Sequence, residues 1–215
     1  MLTDTEARLR AAAALRDLNH TFVAHHADAE HLDRLTRTLR AEAEALRHGP
    51  GRDRLALIRA AREAAGTDAP RLAAALPGSG FEDRAVAGQA NPTAVDIEVD
   101  FAADEVTATV VLRAAFEGAP GRAHGGMVAA VFDDVTGFVI GRLGEPAFTG
   151  ELTTRFEAPV PVGVPLVVRT RLEGRERRKL FITGEMEAEG KVVARCRATY
   201  ITVDPSVFAG MPDPR

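Results

Sequence analysis

Residues 124–142 read HGGMVAAVFDDVTGFVIGR, and a helix made from them is apolar on nearly every side, with Asp133, Asp134 and Thr136 the main exceptions. A helix apolar almost all round has to be buried. The flanking sequence supplies something to bury it. Strand-like segments precede it at 94–100 and 105–116, and follow it at 148–157, 164–174, 180–189 and 191–203. In the second, Val106, Ala108, Val110 and Leu112 alternate with Thr107, Thr109, Val111 and Arg113, the period-2 pattern of a strand. Glu189-Gly190-Lys191 between the last two reads as a hairpin. Short connections favour antiparallel pairing. The order of two strands, a buried helix and four strands predicts an α+β fold, one curved antiparallel sheet around a central helix.

The region before this differs in composition. Residues 1–75 are rich in Ala, Arg, Leu, Glu and His and predict a helical extension. Thr3 is placed to cap a first helix, with Glu6 at the capping-box position. Leu9, Ala12, Ala13, Leu15 and Phe22 give it a loose apolar stripe. A second helix starts near Asp28, carries Leu32, Leu35, Leu39, Ala43 and Leu46, and stops before Gly49-Pro50-Gly51. A third, weaker helix spans 53–65. The division expected is a helical extension 1–75, a linker loop 76–92, the sheet-and-helix domain 93–205 and a C-terminal tail 206–215. The pair of helices is most simply a packing or oligomer-contact element.

Composition excludes several functions. The net charge is −4 and no segment is strongly basic, so nothing points to nucleic acid. The run Arg175 to Lys179 reads as a solvated turn. The single cysteine, Cys196, forbids an internal disulfide and reads as a buried thiol. The N-terminus lacks an apolar signal core, and no apolar run approaches the roughly 20 residues of a membrane span. A cytoplasmic location is the expectation, with no membrane partner. His20, His25, His26 and His31 cluster in the sequence without a metal-binding frame, and are read as polar-face histidines. No metal or other cofactor is expected.

Two features carry chemistry. His124-Gly125-Gly126 opens the central helix. The first N–H groups of a helix lack intrahelical partners, and the macrodipole adds positive potential there. Such an end suits an anion or a developing oxyanion, although a plain glycine turn explains it equally well. Asp133 and Asp134 place carboxylates within an apolar helix, which is costly unless they are paired, hydrated or functional. As neighbours they diverge by about 100°, so they are not expected to face one site.

Here the residues resemble a known family. GAPGRAHGGMVAAVFDDVTG, followed by FTGELTTRFEAPVPVG, is similar to the hotdog-fold acyl-CoA thioesterases of the PaaI-like group. The resemblance covers roughly residues 90–204, and the N-terminal helices resemble an extension seen in some bacterial members. It implies a hotdog fold and hydrolysis of an acyl-CoA or acyl carrier-protein thioester. The family's acid nine positions after the His falls on Asp133, as general base or nucleophile. The Gly125 N–H becomes the oxyanion donor, His124 shapes the loop, and Thr149 on the third strand holds the water or orients the carboxylate. Gly126, Met127, Phe132 and Arg155 become substrate contacts, with Val131, Val135, Leu152 and Phe156 near the acyl group. Arg122, Arg178 and Lys179 are further cations within reach of CoA phosphates, and each reads equally as surface charge. The family joins the Asp of one subunit to the glycine-bearing helix end of another, which implies a homodimer or homotetramer. Two departures stand out. Some relatives carry Asn or Gln six residues before the His, where this chain has Gly118, and Asp134 is a second acid beside the expected one. Glu117, beside Gly118, reads as a solvated loop residue. Two other readings are a non-catalytic acyl-CoA-binding hotdog module and a hotdog enoyl-thioester hydratase or dehydratase using His124 with Asp133.

Overall fold

A computed structural model describes residues 3–53, 56–57, 81–102 and 105–204. The helix foreseen at 124–142 is Gly125–Leu143, labelled α3. His124 caps its start, and Gly144, left-handed at φ 70°, ends it. Val128, Val131, Phe132, Val135, Thr136, Phe138, Val139 and Ile140 are all buried along it.

The surface that buries α3 is a six-stranded sheet. In chain order the strands are β1 (Asp96–Phe101), β2 (Val106–Val111), a short β3 (Glu117–Ala119) and β4 (Arg122–Ala123) ahead of α3, then β5 (Ala147–Phe156), β6 (Pro165–Glu176), β7 (Lys179–Ala188) and β8 (Lys191–Thr202). The large sheet runs β1-β2-β6-β7-β8-β5, antiparallel throughout, and β3 and β4 form a separate hairpin. Alternation aims one face at α3. In β7, Leu180, Ile182, Met186 and Ala188 are buried, and the residues between them reach the outer face. The expected hairpin between β7 and β8 turns on Glu189 (φ 51°) and Gly190 (φ 74°), the paired positive φ of a tight two-residue hairpin. Cys196 is buried as expected, and burial pushes its thiol up to about 12.

Three expectations are corrected. The second strand stops at Val111 rather than 116. Its last partner is Pro165, which has no N–H to extend the ladder, and Ala114–Phe116 form a 3-10 turn instead. The approach to α3, where the glycines at 118 and 121 suggest a flexible segment, is the β3–β4 hairpin, closed by the Glu117 carboxylate accepting from the Gly121 N–H. The basic run is not all turn, because Arg175 and Glu176 end β6 and Lys179 begins β7. Arg175 makes a two-pronged bond to Glu145, at 2.6 and 2.7 Å.

The N-terminal helices are α1 (Asp4–Ala24), with the Thr3–Glu6 capping box, and α2 (Ala29–Arg47), capped by Asp28. The face α1 buries shares only Ala12 with its apolar stripe. Ala12, Arg16 and His20 are buried, one turn apart, while Leu15 and Phe22 are exposed. The docking surface explains this, because it is largely polar. Arg16 donates to the Gln89 and Asn91 carbonyls (2.9 and 3.1 Å), Arg8 meets Asp83 (3.2 Å), and Arg113 meets Asp17 (2.7 Å). No residue of α2 is buried. The third helix at 53–65 lies almost wholly outside the described residues, as do 76–80 of the linker and the tail 206–215. No helix among the described residues is long and apolar enough to cross a membrane.

Phe132 is the largest fully buried side chain among the described residues, so its removal should leave a cavity at the helix–sheet contact. Phe132→Ala is expected to cost about 3–5 kcal/mol, measured as a lower urea midpoint at unchanged slope.

Candidate active site

The N-terminal end of α3 is built by reciprocal bonds. His124 Nδ1 accepts from the Gly126 N–H (3.0 Å), and the His124 N–H donates to the Phe116 carbonyl (2.8 Å). With Nδ1 accepting, the ring proton of a neutral His124 sits on Nε2. The Gly125 N–H, first of the helix, has no acceptor among the described residues. It borders an open cleft of about 540 Å³ lined by Gly118, Arg122, Ala123, Phe156 and Pro159, among others. Close packing explains both glycines. A Cβ on Gly125 would lie 3.2 Å from the Phe156 ring, and one on Gly118 would lie 3.0 Å from the His124 Cα. An Asn or Gln at 118 therefore has no room unless His124 shifts.

Farther along α3 the two acids part as their spacing requires. Asp133 is exposed, and its Oδ1 accepts from the Thr149 hydroxyl at 2.8 Å. A bulge aims that hydroxyl. Thr149 pairs with Tyr200 and Glu151 with Thr199, so Gly150 is the extra residue in β5. Asp134 turns the other way, under the segment before β1. Its Oδ2 accepts from the Ala87 N–H at 2.7 Å, and Arg84 lies nearby with its guanidinium 4.5 Å above the Phe138 ring. Burial raises the Asp134 pKa above its ordinary value, against the opposing pull of the Arg84 charge and the Ala87 bond. Residues 81–92, the described part of the linker loop, supply this cover.

Beneath Asp133 lies a brace that sequence reasoning missed. The buried Tyr200 hydroxyl donates to the Asp133 backbone carbonyl (3.0 Å) and bonds the Thr136 hydroxyl (2.9 Å). Its signal was present, since Tyr200 is the chain's only tyrosine and follows Cys196 and Ala198 at inward positions of β8. The remaining site candidates scatter. Gly126 is exposed and Met127 half-buried near the helix start. Phe132 does not line the cleft, because it is enclosed in the core. Arg155 lies on the outer face of the sheet, opposite to its neighbour Phe156. It pairs there with Glu157 (3.2 Å) and lines a charged groove of about 590 Å³ with Arg169, Glu185 and Arg195. Among the described residues no group of three or more His, Cys, Asp or Glu is arranged to hold a metal ion.

Within one chain, Gly125 and Asp133 are not brought together. Eight residues of helix separate them, a rise of about 12 Å. The chain brings Thr149 to Asp133 and His124 to Gly125, and leaves two half-sites apart.

The two acids should behave differently on substitution. Asp133→Ala removes one exposed hydroxyl contact and is expected to leave the unfolding midpoint nearly unchanged. Asp134→Ala leaves the part-buried Ala87 N–H without its acceptor and removes the carboxylate beside Arg84, and should cost about 1–3 kcal/mol. The pH dependence carries a sign. Because the folded pKa of Asp134 is raised, the folded state holds the proton more tightly than the unfolded state. Stability from this group is therefore greatest below its ordinary value and declines as pH rises through the raised one. Denaturant midpoints across that window should flatten in Asp134→Asn.

Comparison with known proteins supplies the context. Residues 120–195 match the family model described as the thioesterase superfamily. The Acyl-coenzyme A thioesterase THEM5 of Mus musculus is 39% identical over 85 residues, which is 40% of this chain and 34% of that protein. The Acyl-coenzyme A thioesterase THEM4 of Xenopus laevis is 29% identical over 87 residues, 40% of this chain and 39% of that protein. The matched stretch thus spans under two-fifths of these relatives' own length. The crystal structure of RHA08564, a thioesterase superfamily protein, shares the fold at a TM-score of 0.71 and 24% identity, covering 90% of this chain and 94% of that one. That coverage reaches beyond the sheet-and-helix domain into the N-terminal helices. A sheet wrapped around an apolar helix gives this chain the hotdog fold, and over residues 120–195 its sequence is similar to the thioesterase superfamily.

Proposed function

We propose that the chain hydrolyses an acyl-CoA or acyl carrier-protein thioester, with Asp133 as the general base. The observation that carries this reading is the exposed Asp133 carboxylate, held by Thr149 and braced from behind, on a helix whose other carboxylate is taken up by the fold. The relatives named acyl-coenzyme A thioesterases support the acyl-CoA class.

In this reading a water beside Asp133 gives its proton to the carboxylate as its oxygen attacks the thioester carbon. The carbonyl oxygen takes up the negative charge and accepts from the Gly125 N–H at the helix start. Collapse of the tetrahedral intermediate breaks the C–S bond. The thiolate leaves, the proton held by Asp133 returns to it or to solvent, and the carboxylic acid product departs. A thiolate is a good leaving group, so the step needs no strong acid. Attack by Asp133 itself, through a mixed anhydride, uses the same groups. His124 shapes the loop, and Gly126 and Met127 border the acyl group. A hydratase reading needs His124 as a base, and its accepting Nδ1 is already occupied by the Gly126 N–H.

The separation of about 12 Å between the half-sites favours completion by a second copy, with the Asp133 of one subunit facing the Gly125 of another. Exposed β5, with Phe148 and Phe156 at its ends, and half-exposed Ala129 and Ala130 on α3 offer the contact surface.

Free-thiol release from a panel of acyl-CoAs tests the activity, and Asp133→Asn should lower kcat by about 10²–10⁴. Binding of acyl-CoA with no thiol release would identify a binding module instead. Mixing tests the shared site. Asp133→Ala and Gly125→Val subunits, each inactive alone, should regain about a quarter of wild-type activity when co-refolded. Half the dimers are then mixed, and each mixed dimer holds one intact site. No recovery in verified mixed dimers would refute a site built from two copies.

A further inference from the structure

The first helix reaches the oxyanion end of the site through one side chain. His20, buried on α1, accepts the Ala115 N–H at its Nδ1 (3.1 Å), and its ring stands edge-on to Phe116 at 5.0 Å and 75°. The carbonyl of that same Phe116 accepts the His124 N–H at 2.8 Å, and His124 caps α3 beside Gly125. Two hydrogen bonds and one ring contact thus join the N-terminal extension to the turn that fixes the start of α3. Residues 120–195 match the family model, so His20 and the 114–116 turn both lie outside the matched stretch.

We infer that His20 is a positioning residue, which holds the 114–116 turn and through it the His124–Gly125 helix start, and that its protonation releases this hold. The chemistry follows from the acceptor role. A neutral imidazole with Nδ1 accepting carries its proton on Nε2. Protonation places a second N–H at Nδ1, facing the Ala115 N–H, so an attraction becomes a donor–donor clash. The charged groups around the ring are Arg16 and Asp17 of α1, Asp96 of β1, and Arg113 just before the turn. They interlock, with Arg113 on Asp17 and Asp96, and Arg16 near Asp96. Arg113 and Arg16 oppose a further positive charge, whereas Asp96 and Asp17 favour one. Burial dominates, and together with Arg113 it lowers the pKa of His20 below its ordinary value. For a depressed histidine, the stabilising contact is complete above the ordinary value near 6.5. It is lost as pH falls from there through the folded value.

The functional consequence rests on the reading of Gly125 as oxyanion donor, and the test separates the two claims. Amide hydrogen exchange across residues 112–126 reads the linkage directly, and thiol release reads its consequence. At pH 8, His20→Ala should lower the protection of this segment about tenfold, the scale of a lost hydrogen bond. It should lower kcat more than it raises KM. His20→Asn supplies an amide oxygen near the Nδ1 position and cannot titrate there. It should restore both readouts at pH 8 and keep them as the pH is lowered through the range below 6.5 in which wild type loses protection. Unchanged exchange in His20→Ala would overturn the inference. So would a His20→Asn variant that loses protection below pH 6.5 as wild type does. If His20→Ala fails to fold, the comparison of His20→Asn with wild type across pH still decides. A wild-type protein that releases no thiol would defeat the proposed hydrolysis, while the exchange data would still decide the linkage.

Discussion

Everything at the candidate site depends on the burial of α3 against the inner face of the sheet. Apolar residues around most of its circumference lock the rotation of the helix, because any turn about its axis would expose Phe132, Val131 or Val135. Once rotation is locked, the direction of each polar group on α3 is set. The helix start, with its unshared Gly125 N–H, and the Asp133 carboxylate then occupy fixed places roughly 12 Å apart. A packed core supplies this kind of precision, because interiors as dense as organic crystals resist small rotations. The same locking keeps Gly125 and Asp133 apart within one chain.

The two adjacent carboxylates show how one helix separates scaffold from chemistry. Asp134 is covered by the Ala87 N–H and lies near Arg84, which makes it part of the fold's polar interior. Asp133, about 100° around the axis, stays open and touches one hydroxyl. The Tyr200 hydroxyl, itself bonded to Thr136, holds its backbone carbonyl rather than its carboxylate. Its position is thereby fixed without using up its capacity to accept a proton.

The sequence made some of this legible and concealed the rest for physical reasons. Periodicity exposed α3, the β7–β8 hairpin and the strand alternation, because these depend on neighbours within a few residues. The Thr3–Glu6 box and the Asp28 cap were equally readable, being local hydrogen-bond patterns. The departure of the chain at Val111 was not, because it depends on Pro165 arriving opposite, 54 residues later. The bulge at Gly150 is likewise set by the partner strand. Phe132 shows the limit of an all-round apolar helix, since such a pattern says that the helix is buried but not which residues line a cleft. Arg155 was readable in principle. It neighbours Phe156 on a strand, so the two cannot serve the same face.

The docking of α1 is the plainest case of long-range chemistry overruling local pattern. Its hydrophobic stripe pointed to an apolar dock, yet Arg16 and His20 are the residues buried beside Ala12. A polar dock is stable only while each group has its partner, because desolvation is then offset by specific bonds. That makes the contact conditional in a way the core around α3 is not. Apolar burial does not change with pH, but an interface held by a buried imidazole, three guanidinium groups and their carboxylates does. The extension therefore adds to a rigid hotdog core an element whose hold depends on protonation. It grips the chain at residues 115 and 116, directly behind the helix start that the proposed chemistry uses. Leu15 and Phe22 remain outside this contact, so of the apolar stripe of α1 it is Ala12 that is buried in the dock.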